Sequence, residues 1–247
     1  MTFERNPGLP PEPGPTPVVG AVSADRDATP VQIRLQILST EHWSLLASRG
    51  LAWNETFSRA GMYLSVLSAA MVALGLIAGV SGFEDAFFAF GFVLLPVVLF
   101  VGIGTWLRMG ASNYHDALTV AGMNRIRAAY LEIAPELEPY FVMGVHDDPE
   151  GIGITMALPP GTATPVFIIS ATPFLIMVLN SVVAGAILAL VAIRLLHADA
   201  VGTLAAGILG ATVVQLVEVR LATRNIGRAQ RHVRPMFPTR PMDRPRG

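Results

Sequence analysis

The densest chemistry in this chain stands in "HDDPEG", where His146, Asp147, Asp148 and Glu150 place four metal- or proton-binding groups within five positions. A calcium loop needs further oxygen ligands at fixed offsets, and the spacing is not that of a zinc protease. An exposed turn is therefore the expected structure, with metal binding by these four residues left open. Nearby, "LEIAPELEPYF" holds Glu132, Glu136 and Glu138, which are expected to cap helices or face arginines rather than act as an acid–base pair. The chain has no cysteine, which excludes disulfides, thiolate nucleophiles and cysteine-based metal centres. Ser/His/Asp arrangements, phosphate loops and dinucleotide fingerprints are absent, so the expectation is a non-enzyme with no cofactor.

A second group of polar residues lies in apolar surroundings. Asn180, Thr212, Gln215 and Glu218 interrupt "ATPFLIMVLNSVVAGAILALVAI" and "AVGTLAAGILGATVVQLVEVR". Counted back from the "LLHADA" turn at about 1.5 Å per residue, Asn180 comes level with Thr212. A hydrogen bond between them would act as structural glue, and a pore-lining amide is the functional alternative. Glu218 sits nearer the end of its segment, within reach of Arg220. No segment carries a charge near its centre, which disfavours a proton-coupled transporter.

The elements that hold these residues follow from composition. Of 247 residues 52% are hydrophobic and only 14% charged, against about 25% charged in soluble proteins. Uncharged runs cover 60–83, 86–107, 151–193 and 200–217. A membrane core of about 30 Å needs about 20 apolar helical residues, so three runs fit one helix each and the third must be divided. The predicted spans are about 62–80, 87–107, 174–195 and 198–221, in an all-α fold.

The first 30 residues contain seven prolines and are expected to be disordered; no secretory signal peptide is expected. Over 31–60, Leu35, Leu38, Leu45, Leu46, Trp53 and Phe57 recur at helical spacing. No Pro separates this stretch from the first span, so "LAWNETFSRAGMYLSV" is one continuous helix leaving the membrane as an arm. Trp53, Phe57 and Tyr63 then fall at the headgroup level. Pro96 is expected to kink the second span, and "ASNYHDALTVAGMNRIRAAYLEIA" continues it as a second arm, ended by Pro135. Residues 135–173 form a loop in which "GITMAL" and "PVFIIS" flank "PPGTAT" as a short β-hairpin. Thr172 and Pro173 then open the third span, with Thr164-Pro165 as the fallback start. The fourth span continues as a helix to about His232, and 233–247 form a disordered basic tail.

Arginine placement sets orientation, since all 17 basic residues are Arg. Ten lie near the arm-side ends of the spans: Arg49, Arg59, Arg108, Arg125, Arg127, Arg220, Arg224, Arg228, Arg231 and Arg234. The opposite turns hold only Arg194, expected to meet Asp199. The positive-inside rule places both termini in the cytoplasm, in the plasma (inner) membrane. Arg220, Arg224, Arg228, Arg231 and Arg234 are candidate contacts for anionic lipid at the cytoplasmic face, and nucleic acid is not expected, because stacking aromatics are nearly missing.

Small residues at Ser65, Gly75 and Gly79, at Ser181 and Gly185, and at Gly202, Ala206 and Gly210 are spaced for close helix packing, within the chain or between copies. The stretch "LQILSTEHWSLLASRGLAWNETFSRAGMYLSVLSAA" together with "AGMNRIRAAYLEIAPELEPYF" resembles uncharacterised actinobacterial multi-pass integral membrane proteins, over about 31–225. The layout of arm, membrane hairpin and arm is more loosely similar to SLATT-type membrane effectors, from which this chain departs by a second hairpin. Two functions follow as expectations. One is a scaffold or sensor whose arms bind a cytoplasmic partner or another copy. The other is a homo-oligomeric channel, or pore-forming effector, lined by Asn180 and the Ser65–Ser68 face.

Overall fold

The computed structural model describes residues 29–157, 172–232 and 235–239, with 226–232 described by backbone alone. Helix α1, Val31–Ser81, runs 51 residues without a break, about 76 Å at helical rise. This settles the continuity of "LAWNETFSRAGMYLSV". Gly82 ends α1 at φ 63° and ψ −157°, a region essentially reserved for glycine that costs side-chain-bearing residues about 1–3 kcal/mol. Helix α2, Asp85–Ile133, returns alongside and passes through Pro96 unbroken. A 3-10 helix, Pro135–Tyr140, follows, then the short helix α3, Pro149–Thr155. Helices α4, Thr172–Leu196, and α5, Ala200–His232, make the second hairpin.

The insertion differs from expectation. Gly153–Thr155, placed in the first strand of a hairpin, belong to α3; Asp148 caps that helix by accepting the Gly151 N–H at 2.9 Å. Pro149 at the first helical position reinforces the start. No strand occurs among the described residues, and the hairpin's second half, like the fallback start at 164–165, lies outside them. The Pro-rich segment 1–28 is likewise outside.

The helices pack in the order α1, α2, α4, α5. In their most apolar windows α2 and α4 are 28% and 44% buried, whereas α1 and α5 are each 6% buried. The edge helices therefore turn Met71, Val72, Leu76, Val80, Val201, Leu204, Ile208 and Leu216 outward. In water so much contiguous apolar surface would drive association; in hydrocarbon it carries no penalty. The core between the helices is Tyr63, Val98, Trp106, Met109, Ile176 and Met177.

The tight second turn also departs from the expected pairing. Arg194 pairs with Asp85 at the start of α2 and stands 5.7 Å from the Phe88 ring. Asp199 instead caps α5, accepting the Gly202 N–H at 2.8 Å. An aspartate directly before a helix is held by that helix's own unbonded N–H groups, which leaves the arginine to the neighbouring hairpin.

Space around the glycines separates two kinds. Gly75 and Gly79 have nothing within 4 Å of a built Cβ, whereas Gly82 combines open space with positive φ. Gly82→Ala should lower the denaturation temperature in detergent, by an effect of about 1–3 kcal/mol, while Gly75→Ala and Gly79→Ala should not lower it.

Candidate functional site

The polar residues of the spans meet at one level. Tyr63 of α1 donates its hydroxyl to Asn180 Oδ1 at 3.0 Å, and Asn180 Nδ2 donates to Glu218 Oε1 of α5 at 2.8 Å. Tyr63 and Asn180 are 0% exposed and Glu218 3%. Gly102 of α2 closes the fourth side: a Cβ there would stand 2.0 Å from Asn180 Oδ1 and 2.8 Å from the Tyr63 ring. Counted at about 1.5 Å per residue from Ser81, Asp85, Leu196 and Ala200, all four residues lie about 25 Å from the turn end. Glu218 Oε2 is buried with no hydrogen-bond partner among the described residues.

Asn180 is therefore bonded, but not to Thr212, which is exposed on α5. Ser181 donates to Gln215 at 2.8 Å, so residues at equal depth flank a centre near Ala198. A count that omits the three-residue turn 197–199 arrives at Thr212 about one helical turn early. Tyr63 likewise is a core residue rather than a headgroup-level aromatic, whereas Trp53 and Phe57 are about half exposed.

The packing residues divide by face. Gly185 stands against Gly207, whose carbonyl oxygen would lie 2.7 Å from an added Cβ, and Gly210 stands 3.1 Å from the Ala184 carbonyl by the same measure. Gly207, which stands outside the small-residue spacing of the sequence, is central to this contact. Gly202 meets only Ala198 and Asp199 of its own helix start, and Ala206 is half-buried. Ser65 bonds back to the Gly61 carbonyl at 2.9 Å and, with Ser68, is exposed. Asn180 and the Ser65–Ser68 face thus share no surface in one copy.

Beyond the apolar windows α1 and α2 stay side by side, tied by complementary side chains. Arg49 Nε donates to Asp116 at 2.7 Å, and Trp53 donates to the same oxygen at 3.3 Å. Arg34 pairs with Glu132 at 3.0 Å. Glu55 accepts from Arg108 and Arg59, each at 2.9 Å; hydrogen bonds from Arg108 and then Arg59 hold its carboxyl at about 2. Arg220 and Arg224 are exposed; Arg228 and Arg231 have backbone on α5, and Arg234 lies outside the described residues.

"HDDPEG" is a dock for the chain's own C-terminal segment. Asp147, 1% exposed, accepts from Arg125 Nε at 2.7 Å and from the Met236 and Phe237 N–H groups, both at 2.8 Å. Asp148 accepts the Thr239 N–H at 2.8 Å and its hydroxyl at 2.9 Å. The tail expected to be disordered is thus seated at 236–239. Asn124, fully buried, braces the dock by donating to the His146 and Gly151 carbonyls at 2.7 and 3.1 Å and accepting from Thr155 at 2.7 Å. Among the described residues no three His, Asp or Glu side chains cluster to hold a metal ion.

Four helices long and apolar enough to cross a membrane define the class: a multi-pass helical membrane protein. Compared with known families, curated proteins and solved structures, the chain matches none.

Two outcomes follow. Gly102→Ala should force Asn180 and Tyr63 apart and lower the melting temperature in detergent more than Asn180→Leu, since it also drives α2 off the core. At the dock, burial raises the Asp147 carboxyl, but the Met236 and Phe237 N–H groups and Arg125 outweigh it, so it lies below its ordinary 3.8. Asp148 is lowered likewise: burial raises it, and the Gly151 and Thr239 donors prevail. A depressed folded-state pKa stabilises fully above the ordinary value and fades as pH falls through the folded one. Hydrogen-exchange protection of the Phe237 amide should therefore hold down to about pH 4 and collapse in stronger acid; Asp147→Asn should weaken it throughout the range in which the carboxylate is ionised.

Proposed function

We propose that the protein is a non-enzymatic scaffold or sensor of the plasma (inner) membrane, acting through its helical arms on the cytoplasmic side. The supporting observation is the unbroken passage of α1 and α2 from the apolar windows into the arms. A partner gripping the arms would act on the same rigid rods that carry Tyr63 and Gly102. Beyond the span, α1 exposes Ile37, Trp43, Leu46 and Leu51, an apolar surface suited to a protein partner or a second copy. Arg220, Arg224, Arg228, Arg231 and Arg234 would rest on anionic lipid, at about 1 kcal/mol each near the surface.

The absence of cysteine makes thiol mapping clean. In intact cells Val80→Cys and Leu196→Cys should react with an impermeant thiol reagent, and Trp43→Cys should not. After permeabilisation, Trp43→Cys and Leu51→Cys should react more slowly than Met236→Cys and form crosslinked species with short bifunctional reagents. External labelling of Trp43→Cys would overturn the orientation. Fast labelling at both arm positions with no crosslinked species would overturn arm binding.

A further inference from the structure

Between α1 and α2, just beyond their apolar windows, lies a groove of about 350 Å³ lined by Ser48, Glu55, Arg108, Ser112 and His115 together with Leu51, Ala52 and Ala111. At about 1.5 Å per residue, Arg108 lies about 35 Å and Glu55 about 39 Å from the turn end. With a hydrocarbon core of about 30 Å and about 40–45 Å including both headgroup layers, these two side chains fall at the headgroup level of the arm-side leaflet. Ser48 and His115 each stand seven residues, about two turns, further out.

The groove keeps unused hydrogen-bonding capacity of both signs. Arg108 donates Nε and Nη2 to Glu55, at 2.9 and 3.1 Å, and its Nη1 faces no protein acceptor among the described residues. His115 Nε2 stands 3.2 Å from the Ser48 hydroxyl, and its other ring nitrogen has no partner among them. Glu55 Oε1 takes two arginine donors, while Oε2 takes only Arg108 Nη2. Ser112 is occupied, accepting from Thr56 at 2.9 Å and leaning on the Ala52 carbonyl at 3.4 Å. Cationic and neutral donors thus line up beside a carboxylate oxygen with a free lone pair.

We propose that this groove binds a phosphate–primary amine headgroup, carried by a membrane lipid of the phosphatidylethanolamine type. The phosphate takes the open Nη1 of Arg108 and the one N–H or O–H that the mutually hydrogen-bonded His115–Ser48 pair leaves free, and the ammonium donates to Glu55 Oε2. A guanidinium suits a phosphate oxygen in charge and direction. A trimethylammonium has no N–H to give Glu55, and a purely anionic headgroup meets its charge, so choline and glycerol headgroups are disfavoured. The site is separate from the Arg220–Arg234 surface and does not depend on the scaffold reading.

The test is lipid retention by the full chain, extracted from mixed vesicles of phosphatidylethanolamine, phosphatidylcholine and phosphatidylglycerol in equal parts and weighed by native mass spectrometry. The phosphatidylethanolamine adduct should exceed each of the others about fivefold. His115→Ala and Ser48→Ala, which leave the arginine–carboxylate pairs intact, should lower it several-fold without shifting the melting temperature; Arg108→Gln should abolish it. Equal retention of all three lipids, preference for phosphatidylglycerol, or retention untouched in the His115→Ala and Ser48→Ala variants would overturn the proposal. Soluble phosphoethanolamine, added to delipidated protein, separates the sources: thermal stabilisation by it with no lipid retained would overturn the lipid assignment.

Discussion

A hydroxyl, an amide and a carboxyl bonded in series at one depth hold three helices of this molecule in register. In water such bonds would compete with solvent; in hydrocarbon the chain from Tyr63 through Asn180 to Glu218 has few rivals, although each link contributes only about 0.6 kcal/mol and at most about 2. Its larger effect is geometric. The chain fits only because α2 passes it with a hydrogen where any other residue has a carbon, and Gly102 therefore fixes how closely α2 approaches α1 and α4. That explains why α2 touches α1 on one side and α4 on the other, while α1 and α5 remain edges.

The edges show what drives assembly in lipid. Apolar burial gains nothing when the tails outside are as apolar as the core, so attraction depends on how near two backbones come. Gly185, Gly207 and Gly210 bring α4 and α5 together, and Ser181 and Gln215 bond across the same contact. Past the lipid the rules change, and α1 and α2 are held by ion pairs of opposite charge on facing surfaces: Arg34 with Glu132, Arg49 with Asp116, Arg108 with Glu55. Of these, Arg49–Asp116 is the least exposed, and shared donation from Trp53 gives it more weight than the surface pairs.

The four apolar helices and the unbroken arms were legible because hydropathy and the lack of breakers act locally, within one turn or one span. Partners across helices were not. Asn180 stood out as a polar residue in an apolar run, yet its bond to Glu218 depended on a turn of three residues whose length shifts every pairing by about one helical turn. Tyr63 read as a headgroup aromatic because sequence gives its depth but not its face. The glycines teach the same lesson: Gly75 and Gly79 have the spacing of a packing pair and meet open space, whereas Gly102, in no such motif, is the most crowded glycine of the core. Spacing says which residues share a stripe, and only the neighbours decide whether the stripe is used.

The aspartates of "HDDPEG" make the point in the polar region. Acidic residues in a turn present the same pattern whether they await a cation or a backbone, because both supply positive charge at hydrogen-bonding or coordinating distance. Here each oxygen of Asp147 and Asp148 has a donor, drawn from Arg125, from the start of α3 and from the main chain of 236–239. Amide donors are fixed by the backbone, so two neighbouring carboxylates can accept from successive N–H groups as an edge strand would. The segment 236–239 is thereby tied, through Asp147 and Arg125, to the arm of the second apolar helix, some ninety residues earlier in the chain. The two hairpins are consequently joined at three levels, by Arg194 with Asp85 at the turn end, by the Tyr63–Asn180–Glu218 chain within the apolar layer and by this strap beyond it, and a tilt of one hairpin against the other strains all three.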